Sequence, residues 1–198
     1  MVLLNARPYT HEFMGAPLII AVVSCSLNPT SRSHQLALAA EASVRAAGAS
    51  AEFVDLREWD LPICDGGGSF EHPSVEPLSN LIENSSAVLV AAPVYNYDLN
   101  AAAKNFLEMT GQVWSEKPVG FLCSAGGERS YTAPIGFANS LMFDFRCLII
   151  PRFVYCTKTD IDVNGNLGPA ILERVNDLTH TAVTLTKALA WAKEQGEK

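Results

Sequence analysis

Three short stretches hold residues whose types and spacing could do chemistry. The first, "SCSLNPTSRSHQLA" at 24–37, puts four serines and a threonine into one turn, just after an apolar run. If that turn opens a helix, its free backbone N–H groups and the helix dipole attract an anion. Ser26, Thr30, Ser31 and Ser33 add hydroxyl donors, and Arg32 adds a charge. Helix capping is the plainer use of a serine there, but capping takes one hydroxyl and this loop offers a cluster, so the loop favours phosphate. The second stretch, Pro93-Val94-Tyr95-Asn96-Tyr97, brings aromatic faces and an amide. A flat heteroaromatic ligand needs both, although tyrosines that merely cover a sheet edge would read the same. The third, Ser124-Ala125-Gly126-Gly127, lets backbone come close to a ligand because glycine has no Cβ. Alone, it also reads as a simple turn.

These stretches can meet only if the elements around them bring them to one edge. "APLIIAVVS" (16–24) and "AVLVAAP" (87–93) are apolar on both faces, as central parallel strands are when helices cover both sides. "AEFVDL" (51–56), "KPVGFLCSAGG" (117–127) and "CLIIPRFVYC" (147–156) supply three more strands, the fourth with a glycine loop attached. Between them fall a helix after the first loop (Leu36, Ala40 and Val44 at helical spacing), one near 75–84, one over 101–114 and one near 131–144. A long helix over 169–194 closes the chain. Strict β-α alternation predicts an α/β doubly wound sheet. Five strands and five helices predict a flavodoxin-like three-layer sandwich, its five-stranded parallel sheet in order 2-1-3-4-5. In such folds ligands sit at the carboxyl ends of the strands, which is where all three loops fall.

Composition narrows the partners. The 198 residues suit one domain, read as 17–198 after an N-terminal extension over 1–16 that lacks the features of a signal peptide. With 14 basic against 21 acidic residues the formal net charge is −7, and no basic run appears, so nucleic acid is not an expected partner. No apolar run is long enough for a membrane span. Five cysteines without a C-x-x-C pair argue for free thiols and a reducing cytoplasm. "DIDVNG" (160–165) imitates the start of a calcium loop, but Ile171 stands where a bidentate Glu is required. The four histidines show no ligand spacing, so no metal site is expected. Neither G-x-G-x-x-G nor G-x-x-x-x-G-K-[ST] occurs, which sets aside a dinucleotide fingerprint and a P-loop.

Taken together, these loops resemble the NAD(P)H-dependent FMN reductase family. "CSLNPTSRS" follows its first-loop pattern G-S-x-R-x-x-S-x-N/S, with Cys25 for Gly and Asn28 for Arg, and comes nearer to the alkanesulfonate-type branch. "PVYNYDLNAAAKN" is similar to its P-E-Y-N-x-x-x-P-G-x-L-K-N, with Val94, Asn100, Ala101 and Ala103 as the departures, and "SAGG" matches the third loop. The resemblance implies FMN as cofactor and NADPH or NADH as electron donor. Ser26, Ser31, Arg32 and Ser33 would surround the FMN phosphate. Pro93, Tyr95, Asn96 and Tyr97 would line the isoalloxazine, with Ser124, Gly126 and Gly127 on its far side. No catalytic acid or base is named. The resemblance also implies a small-molecule electron acceptor and a homodimer or homotetramer built through the 101–114 helix, where Ala102, Phe106 and Met109 form an apolar face. A non-catalytic flavodoxin-like electron carrier and a flavin-free binding protein of the same fold are the alternatives.

Overall fold

The computed structural model describes residues 18–196, so the expected extension over 1–16 lies outside the described residues. Strand β1 (Ile19–Ser24) leads to helix α1 (Arg32–Ala46), β2 (Ser50–Asp55), α2 (Val75–Glu83) and β3 (Ala87–Tyr95). There follow β4 (Asp98–Leu99), α3 (Ala101–Thr110), β5 (Pro118–Ser124), α4 (Pro134–Phe145), β6 (Leu148–Ile149), β7 (Val154–Cys156) and α5 (Pro169–Gly196). The parallel order is β2-β1-β3-β5, with β6 and β7 both on the outer edge of β5.

This is the 2-1-3-4-5 order with two departures. The run 147–156 is not one strand: β6 pairs Pro118 and Val119, and β7 pairs Leu122 to Ser124. Pro151 between them has no N–H for the ladder, and Arg152 takes φ +63°, so the chain leaves the sheet and rejoins it. The second departure is β4, an antiparallel hairpin on the end of β3 with Tyr95 opposite Asp98. Its two turn residues, Asn96 and Tyr97, both have positive φ, the backbone of a tight two-residue hairpin.

Alternation along β1 feeds both layers. Ala21 and Val23 join Leu78, Ile82 and Phe106 on one face, while Ile20 and Val22 meet Leu36, Val44 and Leu178 on the other. On β5, a Cβ at Gly120 would stand 2.9 Å from a Leu89 methyl and 3.0 Å from one of Leu178, so glycine lets α5 lie close. Helices α1 and α3 leave neighbouring strands β1 and β3 toward opposite faces, which opens a crevice between their carboxyl ends. Helix α3 stops at Thr110 and continues to Trp114 as a 3-10 turn. Phe106 and Met109 are buried in the chain's own core, and the exposed side of α3 carries a Lys104–Glu108 ion pair. The apolar face expected to join two copies is therefore already used.

Candidate active site

The first loop is built as a helix start. Ser31 sits at the N-cap of α1 with extended backbone, and its Oγ accepts from the His34 N–H at 3.4 Å. Capping is thus one use of the cluster. The N–H groups of Arg32 and Ser33, ahead of His34, have no acceptor within the helix. Asn28 shapes the turn: its Oδ1 accepts from the Thr30 N–H at 3.0 Å and the Thr30 hydroxyl at 3.1 Å. Ser26 Oγ accepts from the Asn28 N–H at 3.3 Å.

All three loops meet around one cavity of about 530 Å³. From the first loop come Ser26, Asn28, Thr30, Ser31 and Arg32; from the second Pro93 to Asn96; from the third Ser124, Ala125 and Gly126. Eight of the expected residues therefore line it. Three do not. Ser33 is wholly buried beneath the loop, with its Oγ 2.8 Å from that of Ser31. Tyr97 turns away and donates its hydroxyl to the Arg129 carbonyl at 2.6 Å. Gly127 presents its carbonyl to the Tyr155 hydroxyl at 2.7 Å. Both tyrosines thus pin the third loop. Gly126 has no positive φ, and a Cβ there would meet no protein atom within 4 Å, so packing does not demand glycine beside the cavity.

Two supports were not read from the sequence. Asn100, at the start of α3, donates from Nδ2 to the Cys25 carbonyl at 2.8 Å and so ties the second loop to the first; its buried Oδ1 has no partner. Behind the first loop, Asp55 at the end of β2 binds Arg57, whose Nε reaches both carboxylate oxygens at 3.0 Å and whose Nη2 pairs with Oδ2. Arg57 Nη1 also donates to the Pro29 carbonyl at 3.4 Å, and His34 Nδ1 lies 3.0 Å from Ser24 Oγ. Burial pushes the Asp55 carboxyl up, but the hydrogen bonds and charge of Arg57, with His34, hold it below the usual carboxylate range. The signal for this network was the Asp-x-Arg spacing after β2; its reach to the first loop is a long-range contact.

No cysteine supplies a reactive thiolate here. Burial drives Cys25 far up, aided by Cys123 and Asp55, and pushes Cys123 up to about 12. Among the described residues no acidic or histidine cluster could hold a metal ion.

No carboxylate lines the cavity, although the chain carries a formal net charge of −7. Arg32 there makes no ion pair among the described residues. Such a donor set fits an anionic ligand. Comparison with known proteins agrees: the pattern of the NADPH-dependent FMN reductase family matches residues 18–159. The chain belongs to that family. An NADPH:quinone oxidoreductase of Arabidopsis thaliana is 31% identical over 119 residues, a match that covers 56% of this chain and spans 60% of the relative's length. Among solved structures, an oxidoreductase of Corynebacterium diphtheriae superposes with TM-score 0.68 at 19% identity, over 86% of this chain and 97% of that one. An NADH:FMN oxidoreductase in its apo form also gives 0.68, at 16% identity, over 87% and 89%. The FerB flavoenzyme of Paracoccus denitrificans gives 0.65 at 21% identity, over 83% and 98%. These likenesses establish the flavodoxin-like fold.

The residues present fit the family's FMN. A terminal phosphate would find the hydroxyls, two open N–H groups and a free guanidinium in the first loop. A flat ring would find Tyr95, Asn96 and the open side of Gly126 across the same cavity.

Proposed function

We propose that the chain is an FMN-dependent oxidoreductase that takes electrons from NADPH or NADH and delivers them to free flavin, a quinone or a similar small acceptor. The observation that carries this reading is the carboxylate-free cavity, in which a hydroxyl-rich helix start faces an aromatic and amide loop. Family membership and the quinone-reducing relative support it.

Bound FMN would supply the redox chemistry, accepting a hydride and passing electrons on. The chain's residues would bind and orient. The Ser26 and Ser31 hydroxyls and the Arg32 guanidinium would hold the phosphate, with Ser33 fixing Ser31 from below and Thr30, whose hydroxyl is donated to Asn28, shaping the turn. Pro93, Tyr95 and Asn96 would line the ring, and Ser124, Ala125 and Gly126 its other side. Tyr97 and Gly127, both named from the sequence, would act by holding the third loop in place. No side chain is assigned as acid or base. Calorimetry tests the phosphate assignment: FMN should bind at least about tenfold more tightly than riboflavin, a difference of ~1.4 kcal/mol. Equal affinities would remove the basis of the reading.

We also infer a homodimer or homotetramer. Helix α4 supports this better than α3, because Ile135, Met142 and Phe143 stand exposed along its outer face. Light scattering should give at least twice the monomer mass. A cytoplasmic setting is proposed from the free cysteines. Among the described residues no helix is long and apolar enough to cross a membrane.

A further inference from the structure

Arg57 clasps the first loop from behind, and the clasp is built in stages. Asp55 ends β2 beside Ser24, the last residue of β1. Its Oδ1 accepts from the Arg57 N–H at 3.1 Å, which opens a short 3-10 turn and folds the arginine side chain back toward its own partner. The carboxylate then takes one edge of the guanidinium, Nε and Nη2. A planar fork held by that edge has one direction left for Nη1. Nη1 meets the Pro29 carbonyl, two residues before the Ser31 cap, at 3.4 Å. Nη2 also meets His34 Nε2, three residues after the cap, at 3.1 Å. Arg57 can only donate, so Nε2 accepts and Nδ1 donates to Ser24 Oγ at 3.0 Å. The arginine thus grips the loop on both sides of Ser31 and Arg32, the two residues of this turn and helix start that line the cavity.

The grip decides which groups the turn shows a ligand. Neither Pro29 nor Arg57 lines the cavity, so the Pro29 carbonyl is bonded away from it. A turn free to rotate that peptide would bring an acceptor toward an anion, where only donors help. The His34 contact fixes the first turn of α1, and with it the open N–H groups of Arg32 and Ser33. Arg57 also balances Asp55, a carboxylate only 4% exposed and 3.5 Å from His34, whose charge would otherwise oppose an anion at this helix start.

We propose that Arg57 is a positioning residue for the cofactor phosphate: its guanidinium holds the first loop in the shape that offers a phosphate donors alone, without touching the phosphate itself. The assignment rests on the proposed function for the identity of the ligand. Charge balance could be met by any cation at position 57, whereas the clasp needs the planar fork.

Two variants separate the fork from the charge. Arg57→Lys keeps a cation for Asp55 but has no further arms for Pro29 and His34. Asp55→Asn combined with Arg57→Gln removes both charges and the clasp together. Titrated by calorimetry, each variant should bind FMN about tenfold more weakly than the unaltered protein and riboflavin within about twofold, so the preference for FMN collapses. A full FMN preference kept by either variant would overturn the proposal. If its melting temperature also falls, Arg57 is a structural brace; if not, a counter-charge to Asp55. Equal loss of FMN and riboflavin would overturn it as well, because the clasp acts on the phosphate loop alone. Should the double variant melt below the titration temperature, Arg57→Lys, which leaves Asp55 paired, decides the matter. In all these outcomes an FMN preference in the unaltered protein leaves the proposed function standing. An unaltered protein that binds FMN and riboflavin equally would remove that function, and this proposal with it.

Discussion

Ser31→Ala and Ser33→Ala separate ligand binding from helix capping, because the two hydroxyls touch each other and only one faces the cavity. Ser31 Oγ can accept twice and donate once. A phosphate oxygen only accepts. With phosphate bound, Ser31 therefore accepts from His34 N–H and from Ser33, 2.8 Å away, and points its own proton into the cavity. Ser31→Ala removes a long cap at 3.4 Å, worth the low end of the usual range, roughly 0.5 kcal/mol. It also strands the wholly buried Ser33 hydroxyl, at roughly 1–2 kcal/mol. Together these lower Tm by roughly 4–8 °C for a domain of this size. The same change removes a charge-assisted bond to phosphate, so FMN affinity falls about tenfold or more while riboflavin affinity holds. Ser33→Ala keeps the cap and the cavity-facing hydroxyl. It should cost about 1 kcal/mol of stability and shift FMN affinity less than about threefold. Thermal melts and paired FMN and riboflavin titrations read both effects. Equal loss of FMN and riboflavin binding in Ser31→Ala, with the same drop in stability, would reduce the cluster to a helix cap with no part in holding phosphate.

Three further outcomes follow from contacts around the site. Asp55→Asn should lower stability at neutral pH by roughly 2 kcal/mol, through loss of charged bonds to Arg57. Because the folded carboxyl is held low, that stability is present above the ordinary carboxylate value near ~3.9 and is lost as pH falls through the lowered folded value. Denaturant midpoints should therefore converge for the two proteins in acid, and a gap that persists there would contradict the pairing. Tyr97→Phe frees the Arg129 carbonyl and should speed amide exchange across 125–131 about fivefold, for a bond worth ~1 kcal/mol; unchanged exchange would deny the pin. A thiol reagent on native protein should label only Cys64, the one cysteine not buried, and all five after denaturation. Native labelling of Cys25 would show that the first loop opens.

The sheet order was legible because central strands must be apolar on both faces, and β1 and β3 are. The break in the last strand was written in Pro151, but apolar residues on both sides made 147–156 look continuous. The β4 hairpin was hidden for a different reason: Tyr97 adopts a positive φ that few aromatic residues take, so no turn signature announced it. In the site, composition identified the loops but not the facing of each residue. Successive positions on a helix point about 100° apart, so Ser31, Arg32 and Ser33 could not all face one cavity, and Ser33 went inside. Asn100 and Arg57 join segments far apart in sequence, and local pattern says nothing of such contacts. The apolar side of α3 fitted either a core or an interface, and the core claimed it.

The central claim is that the carboxylate-free cavity holds FMN where a reduced nicotinamide can reach it. Visible spectra of purified protein, supplemented with one equivalent of FMN under anaerobic conditions and then mixed with NADPH or NADH, test it most directly. Binding should perturb the flavin spectrum, and adding the donor should bleach the flavin absorption band rapidly, faster by far than with FMN alone. A spectrum identical to free FMN, or bound flavin that neither donor bleaches, would contradict it.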